Sequence, residues 1–256
     1  MTSRKYLASL LVLALMGLFT NAIAHEGIGG HLARMWEVTP MADKSKEFNE
    51  AFKKHIEWRK ENKDPWGWSV YYATTGKGIN SVYVRSVGHH WADFDAYRDS
   101  EFSKKASEHW NENVDPYVKY YDSSIDETDN DLHYWPEGSN YRYFWVTSFY
   151  LKPGHGGKAR QAVVAVTKEL EAAGRESPNV WLWDQTGKHA PVFSIVVARD
   201  DWAGFDWPDK GVRTTLVERV GEKKADAMMA DFFEHVAHQE SQIYARDMDM
   251  SYEAAN

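Results

Sequence analysis

Cysteine is absent from the 256 residues. That one absence excludes disulfides, a thiol nucleophile and a lipid-modified cysteine, so the fold must rest on its hydrophobic core even in an oxidising compartment. Positive charge is scarce as well, with 30 Lys and Arg against 38 Asp and Glu and a formal net charge of −8. No basic stripe exists to neutralise phosphates, which argues against nucleic acid and against an anionic membrane surface as partners. There is no Gly-x-Ser-x-Gly elbow for a serine nucleophile. Gly27-Ile28-Gly29-Gly30 lacks the preceding strand and following helix that a phosphate-cradling loop needs.

Long apolar runs are also missing, except at the start. Arg4 and Lys5 precede an apolar stretch from Leu7 to Phe19, and Ala22-Ile23-Ala24 follows. A basic segment, a short apolar core and a small-x-small site are the parts of a cleavable signal peptide, expected over residues 1–24. The core is short for a membrane span. Cleavage would leave an acidic periplasmic or secreted protein beginning at His25, with no membrane contact after processing.

What the chain does have is aromatic residues, 12 Trp, 14 Tyr and 11 Phe, and a repeat. Thr75-Gly76-Lys77, the β-rich run Val82 to Val87 and Trp91-Ala92-Asp93-Phe94-Asp95 recur as Thr186-Gly187-Lys188, Val192 to Val197 and Trp202-Ala203-Gly204-Phe205-Asp206. Both ends of the match, Thr75 to Thr186 and Trp91 to Trp202, sit at the same offset of 111 residues, without a gap between them. A turn, a strand and a helix start in fixed register mark a duplicated unit.

Within the first unit, His31 to Thr39 reads as a strand. Phe48, Ala51, Phe52 and Ile56 give the next segment helical spacing, and Asp64-Pro65 ends it. Trp66 to Ala73 and Val82 to Val87 read as strands, and Trp91 to about Asn113 as a helical region broken near Ser100. Tyr117 to Tyr121 completes a β-α-β-β-α-β order. The polar, acidic stretch 123–140 reads as a linker. Units are thus expected at 25–122 and 141–256, the second with a helical region from Trp202 to about Glu240, a strand from Gln242 to Met248, and about 13 extra residues, from matching Tyr244 to Tyr120. Large apolar residues occupy both parities of Tyr141 to Val146 and of Trp66 to Tyr72, so both faces of each sheet should be covered. The expected fold is α+β: two tandem ferredoxin-like units packed sheet to sheet as an intrachain α/β barrel around a cavity.

Trp91, Phe94, Tyr97, Ser100 and Phe102 form a strand-end aromatic, a helix and a small-residue break, and Trp202-Ala203-Gly204-Phe205 repeats the start. In these residues the chain resembles the dimeric α/β barrel superfamily, which includes antibiotic-biosynthesis monooxygenases and haem-degrading monooxygenases. The resemblance implies a barrel usually made by two chains, here supplied by one, with assembly into a homo-oligomer left open. It also implies a monooxygenase-like activity as one alternative.

Candidate site residues come from the places where the copies differ. Arg85 interrupts an apolar strand where the second copy has Val196. By parity Ser194, Val196 and Ala198 face the cavity, and so do Tyr83 and Arg85. Glu37 is the lone acid of the first strand, adjacent to the third, so Glu37 and Arg85 are expected to meet there, as a structural pair or as a clamp on a ligand's polar group. His109 is the fourth ligand-binding candidate. The haem-ligand position implied by the resemblance falls on Ser107, two residues away and about 200° around a helix.

Other histidines have plainer readings. His235 and His238, beside Glu234 and Glu240, have the i, i+3 spacing of a two-histidine metal pair on a helix, but no third ligand is identifiable and a solvated face is the favoured reading. His89-His90 stand at a helix entry and His55 at a core edge. A mature chain starting at His25 offers an amine and an imidazole to copper, with His31 nearby. Gly154-His155-Gly156-Gly157 opens a helix and reads as a flexible connection or a weak anion site. The sequence assigns no metal site and names no cofactor. It leaves three functions open: binding of a small apolar or aromatic molecule in the cavity, monooxygenase-like catalysis there, or a structural role.

Overall fold

The computed structural model describes residues 30–136, 139–175, 177–187, 189–206 and 210–255. The expected signal peptide and His25 lie outside the described residues. In chain order the elements are β1 (Leu32–Pro40), α1 (Ser45–Glu61), β2 (Trp68–Ala73), β3 (Val82–His89), α2 (Trp91–Asp99), α3 (Glu101–Asn113) and β4 (Val118–Tyr134). The second half follows with β5 (Tyr143–Leu151), α4 (Gly156–Ala172), β6 (Asn179–Asp184), β7 (Val192–Arg199), α5 (Val212–Val220), α6 (Glu222–Glu234) and β8 (Val236–Tyr252).

The eight strands close into one antiparallel barrel in the order β1-β3-β2-β8-β5-β7-β6-β4. Each half contributes a ferredoxin-like sheet, β4-β1-β3-β2 and β8-β5-β7-β6. The halves join edge to edge, because the fourth strand of each is long enough to serve both sheets. β4 pairs with β1 through Val118–Glu127 and with β6 through Asp126–Tyr134. β8 pairs with β5 up to Ala245 and with β2 from Tyr244 to Tyr252. Full closure leaves no exposed sheet edge.

Three expectations change here. The residues read as a linker, from Ser123 to Tyr134, are the second half of β4. Their acids are held by arginines from elsewhere in the chain: Arg85 on Asp126, and Arg160 on Asp129 and Asp131. The helical region of the second unit, expected to reach about Glu240, ends at Glu234, so His238 and Glu240 lie on β8 and His235 and His238 share no helix face. Strand pairing also revises the insertion. Asp126 lies opposite Ala33, and Tyr244 opposite Phe144, the counterpart of Ala33. These equivalents are 118 residues apart, so the second copy is longer by about seven residues, and His238 rather than Tyr244 corresponds to Tyr120.

Both sheet faces are covered, as the aromatic parities require. Phe48, Phe52 and Ile56 of α1 pack with Trp68, Val70, Val82 and Val84 on the outer face of the first sheet. Ala159, Ala162 and Val163 of α4 and Phe232 of α6 do the same for Phe149, Trp181 and Phe193 on the second. Inside the barrel, Phe144, Leu182, Val196 and Ala198 form a third cluster with Tyr71 and Tyr244. The break at Ser100 is a helix cap: its side-chain oxygen accepts from the Ser103 N–H at 3.0 Å.

Candidate functional site

Two cavities matter, one inside the barrel and one outside it. The inner cavity, about 200 Å³, is lined by Glu37, Tyr83, Tyr150, Asp184 and Tyr244 among others. Glu37 faces Tyr83 across the β1–β3 pair and accepts from the Ser81 hydroxyl at 2.8 Å. Gly78 closes over them at a φ of +69°, where an added Cβ would lie 1.8 Å from the Tyr83 hydroxyl. The first Thr-Gly-Lys turn therefore needs its following glycine for both backbone and space, where the second copy has His189.

Arg85 also faces inward, as parity predicts, but its partner is not Glu37. Its guanidinium forks onto Asp126 at 2.5 and 2.6 Å, one strand further round the barrel. Glu37 sits beside Tyr83 in the register, and Met35 sits beside Arg85. The expected pair fails because β4, read as ending at Tyr121, carries a closer acid. Asp184 lies opposite Asp126 on β6. Burial, with the Asp126 charge next and Arg85 opposing, pushes its carboxyl up to about 7.

The larger space lies between the outer face of the first sheet and α1–α3, and measures about 550 Å³. Its floor is Trp36, Val38, Trp68 and Val84, and its roof comes from His55, Arg59, Tyr97, Ala106 and Trp110. The buried stripe of α1 runs Phe48, Phe52, His55, Ile56 and Arg59, so the same helical spacing that packs the core delivers two polar groups to the cleft. Arg59 lies 3.7 Å over the Trp68 ring and bonds Asp64 at 2.7 Å, Tyr97 at 2.7 Å and Tyr252 at 2.9 Å. That network fixes both the arginine and the indole.

His55 is fully buried rather than at a core edge. Its Nδ1 lies 3.0 Å from Nδ1 of His109, so one imidazole donates and the other accepts. Burial first, then the charges of Arg59 and His109, pushes His55 down to about 3, which keeps it neutral. Its other nitrogen, Nε2, is buried without a partner, and so is Nε1 of Trp68. Unpartnered buried polar atoms are uncommon and costly in native folds. Both side chains line the cleft, with these nitrogens turned away from its open space.

The four predicted residues are thus divided. Glu37 and Tyr83 line the inner cavity, Arg85 is committed to Asp126, and His109 supports His55 from α3. The cleft residues Trp36, Trp68, His55 and Arg59 were not singled out as a set. Their signal was present in α1, where His55 and Arg59 continue an apolar stripe. Ser107, the position matching the haem ligand, lines the cleft without an imidazole, and the His55 nitrogens are paired or buried. These residues do not fit haem. His31 lies 3.6 Å from Glu127 and beside the His90 ring.

No family model and no curated protein matches the chain. Solved structures do. A candidate monooxygenase from Lactobacillus acidophilus is 9% identical with a TM-score of 0.53, over 87% of this chain and 95% of that one. An anthrone oxidase-like protein is 12% identical with a TM-score of 0.55, over 88% and 94%. A variant chlorite dismutase from Candidatus Nitrospira defluvii is 8% identical with a TM-score of 0.51, over 86% and 93%. The chain shares the fold of the dimeric α/β barrels. At such identities the likeness concerns the fold alone, and this barrel is closed by one chain.

Proposed function

We infer that this α/β barrel binds a small, mostly apolar aromatic molecule in the cleft between the first sheet and helices α1–α3. The observation that carries this reading is a cleft of about 550 Å³ walled by Trp36, Trp68, Tyr97, Trp110 and Tyr121. That volume is within the range of small-molecule sites, whereas the inner cavity is below it. Trp36, Trp68 and Trp110 offer faces for a ring.

Binding is favoured over catalysis in the cleft by the state of His55. A general base works best with a pKa near the operating pH, and this imidazole is pushed far below it. The names of the structural neighbours suggest oxidative chemistry, and a monooxygenase-like reaction is the second reading for the same cleft. Export, proposed from residues 1–24, predicts a mature N-terminus at His25 in the extracytoplasmic fraction; an intact Met1 there would remove it.

The test uses 1-naphthol, a planar ring with one hydroxyl, followed by quenching of tryptophan fluorescence. Saturable binding is expected. Trp110→Ala removes one aromatic wall of the cleft and should weaken binding about tenfold, the equivalent of about 1.4 kcal/mol. Equal affinity in the wild type and in Trp110→Ala would place the ligand elsewhere.

A further inference from the structure

A second histidine pair lies on the other half of the barrel, in different chemical surroundings. His155 stands in the turn between β5 and α4, and His235 at the junction of α6 and β8. Their Nδ1 atoms are 2.9 Å apart. Glu234 Oε1 is 3.7 Å from His235 Nδ1, and Asp231 Oδ1 is 3.9 Å from His235 Nε2. One ligand atom from each of Asp231, Glu234 and His235 lies within 4.8 Å of the others. His235 is 2% exposed, while the two carboxylates reach solvent.

The backbone sets this arrangement independently of any ligand. The Lys152 N–H donates to the His235 carbonyl at 2.9 Å, and Lys152 Nζ donates to the Glu234 carbonyl at 2.6 Å. The His235 N–H is held by the Phe232 carbonyl, and the His155 carbonyl accepts from Ala159 at the start of α4. Two segments distant in sequence are therefore tied together at the point where the imidazoles meet.

We propose that His155, His235 and Glu234 bind a divalent transition cation of the zinc class, with Asp231, on the Nε2 side of His235, as the carboxylate behind that ligand. Metal–nitrogen bonds of about 2.0–2.1 Å in a tetrahedron set neighbouring ligand atoms about 3.4 Å apart. The separations of 2.9 and 3.7 Å from His235 Nδ1 bracket that value; His155 lies outside the 4.8 Å group, so binding draws the exposed Glu234 carboxylate toward it. A hydrogen-bonded imidazole pair shares one proton between two lone pairs. Shifting that proton to the donor ring's Nε2 and seating a cation between the rings lets both Nδ1 atoms coordinate as neutral imidazoles, and the carboxylates balance the charge. Imidazole with carboxylate is a donor set suited to zinc, copper or nickel, and unlike the oxygen-only sets suited to calcium.

The His55–His109 pair shows why the same contact elsewhere is no such site. Its neighbours are Trp58, Trp68 and Trp110, and the nearby charge is the cation Arg59. His238, the partner suggested by spacing, points to Glu240 and Tyr150 from β8. The second imidazole comes instead from the glycine-flanked His155.

The test is calorimetric titration of the chelator-stripped full chain with Zn²⁺. Saturable binding at one equivalent is expected, with a Zn²⁺-dependent rise in Tm. His155→Asn lies on a turn and should leave the circular dichroism spectrum unchanged while lowering affinity at least tenfold. Glu234→Gln should lower it in the same direction, and His109→Asn should leave it alone. Absence of saturable binding to the wild type overturns the proposal. So does wild-type affinity in His155→Asn, which would assign the ion to other histidines such as His31 and His90.

Discussion

Asp184 shows how a single residue can make barrel stability depend on pH. It lies opposite Asp126 inside the barrel, and burial followed by the Asp126 charge pushes its pKa up to about 7 in the folded state, against the ordinary aspartate value of 3.8. The folded chain then binds more protons than the unfolded chain between about pH 4 and pH 7. The stabilisation is complete below the unfolded value and is lost as pH rises through the folded one. Each pH unit of that window is worth about 1.4 kcal/mol. Asp184→Asn removes the titrating group and should flatten this part of the profile, gaining on the wild type at pH 8 relative to pH 5. Urea denaturation at the two pH values measures it. Parallel profiles for the two proteins would mean that the carboxyl is hydrated and titrates normally.

At the scale of strands, the two copies solve the same packing problem with different chemistry. Arg85 and Asp126 of the first half correspond to Val196 and Tyr244 of the second, and Glu37 with Tyr83 to Ser148 with Ser194, whose hydroxyls meet at 3.0 Å. A polar pair is replaced as a pair. Arg85→Met alone strands Asp126, which is 2% exposed, and should cost about 3–5 kcal/mol. Adding Asp126→Leu should recover most of that loss, since buried ion pairs are often replaceable by apolar residues of similar volume. A double variant as unstable as the single one in urea denaturation would show that the pair does more than fill and neutralise the interior. The repeat and the strand parities made this comparison legible: the inward set Tyr83, Arg85, Ser194, Val196 and Ala198 follows from alternation alone. The partner of Arg85 was not legible, because composition reports the charge of Asp126, Asp129 and Asp131 but not the distant arginines that hold them. The cleft was half legible. His55 and Arg59 interrupt the stripe of α1, but the unpartnered state of His55 Nε2 and Trp68 Nε1 depends on packing among β1, β2, α1 and α3.

For the whole molecule, the decisive feature is that neither half keeps its fourth strand to itself. The second part of β4 pairs with β6 and the second part of β8 with β2, and these are the two seams that close the barrel. A chain of residues 30–136 would carry the helices and the outer core of the first half, with Phe48, Phe52 and Ile56 packed on Val70, Val82 and Val84. It would also expose the edge of β2, an unpaired extension of β4 from Thr128 to Tyr134, and the inner face that Phe144, Leu182 and Val196 cover. An open edge and a free strand of the same sheet are complementary, so two copies can close on each other, β4 of one against β2 of the other. The expected species is therefore a homodimer by light scattering after size exclusion, with far-ultraviolet circular dichroism typical of mixed helix and sheet. Its near-ultraviolet signal should be lost together with the dimer on dilution, because the barrel interior forms only when both seams do. A stable, folded monomer would show that each half can hide its inner face unaided, and that the long fourth strands tie together two independent units rather than complete one core.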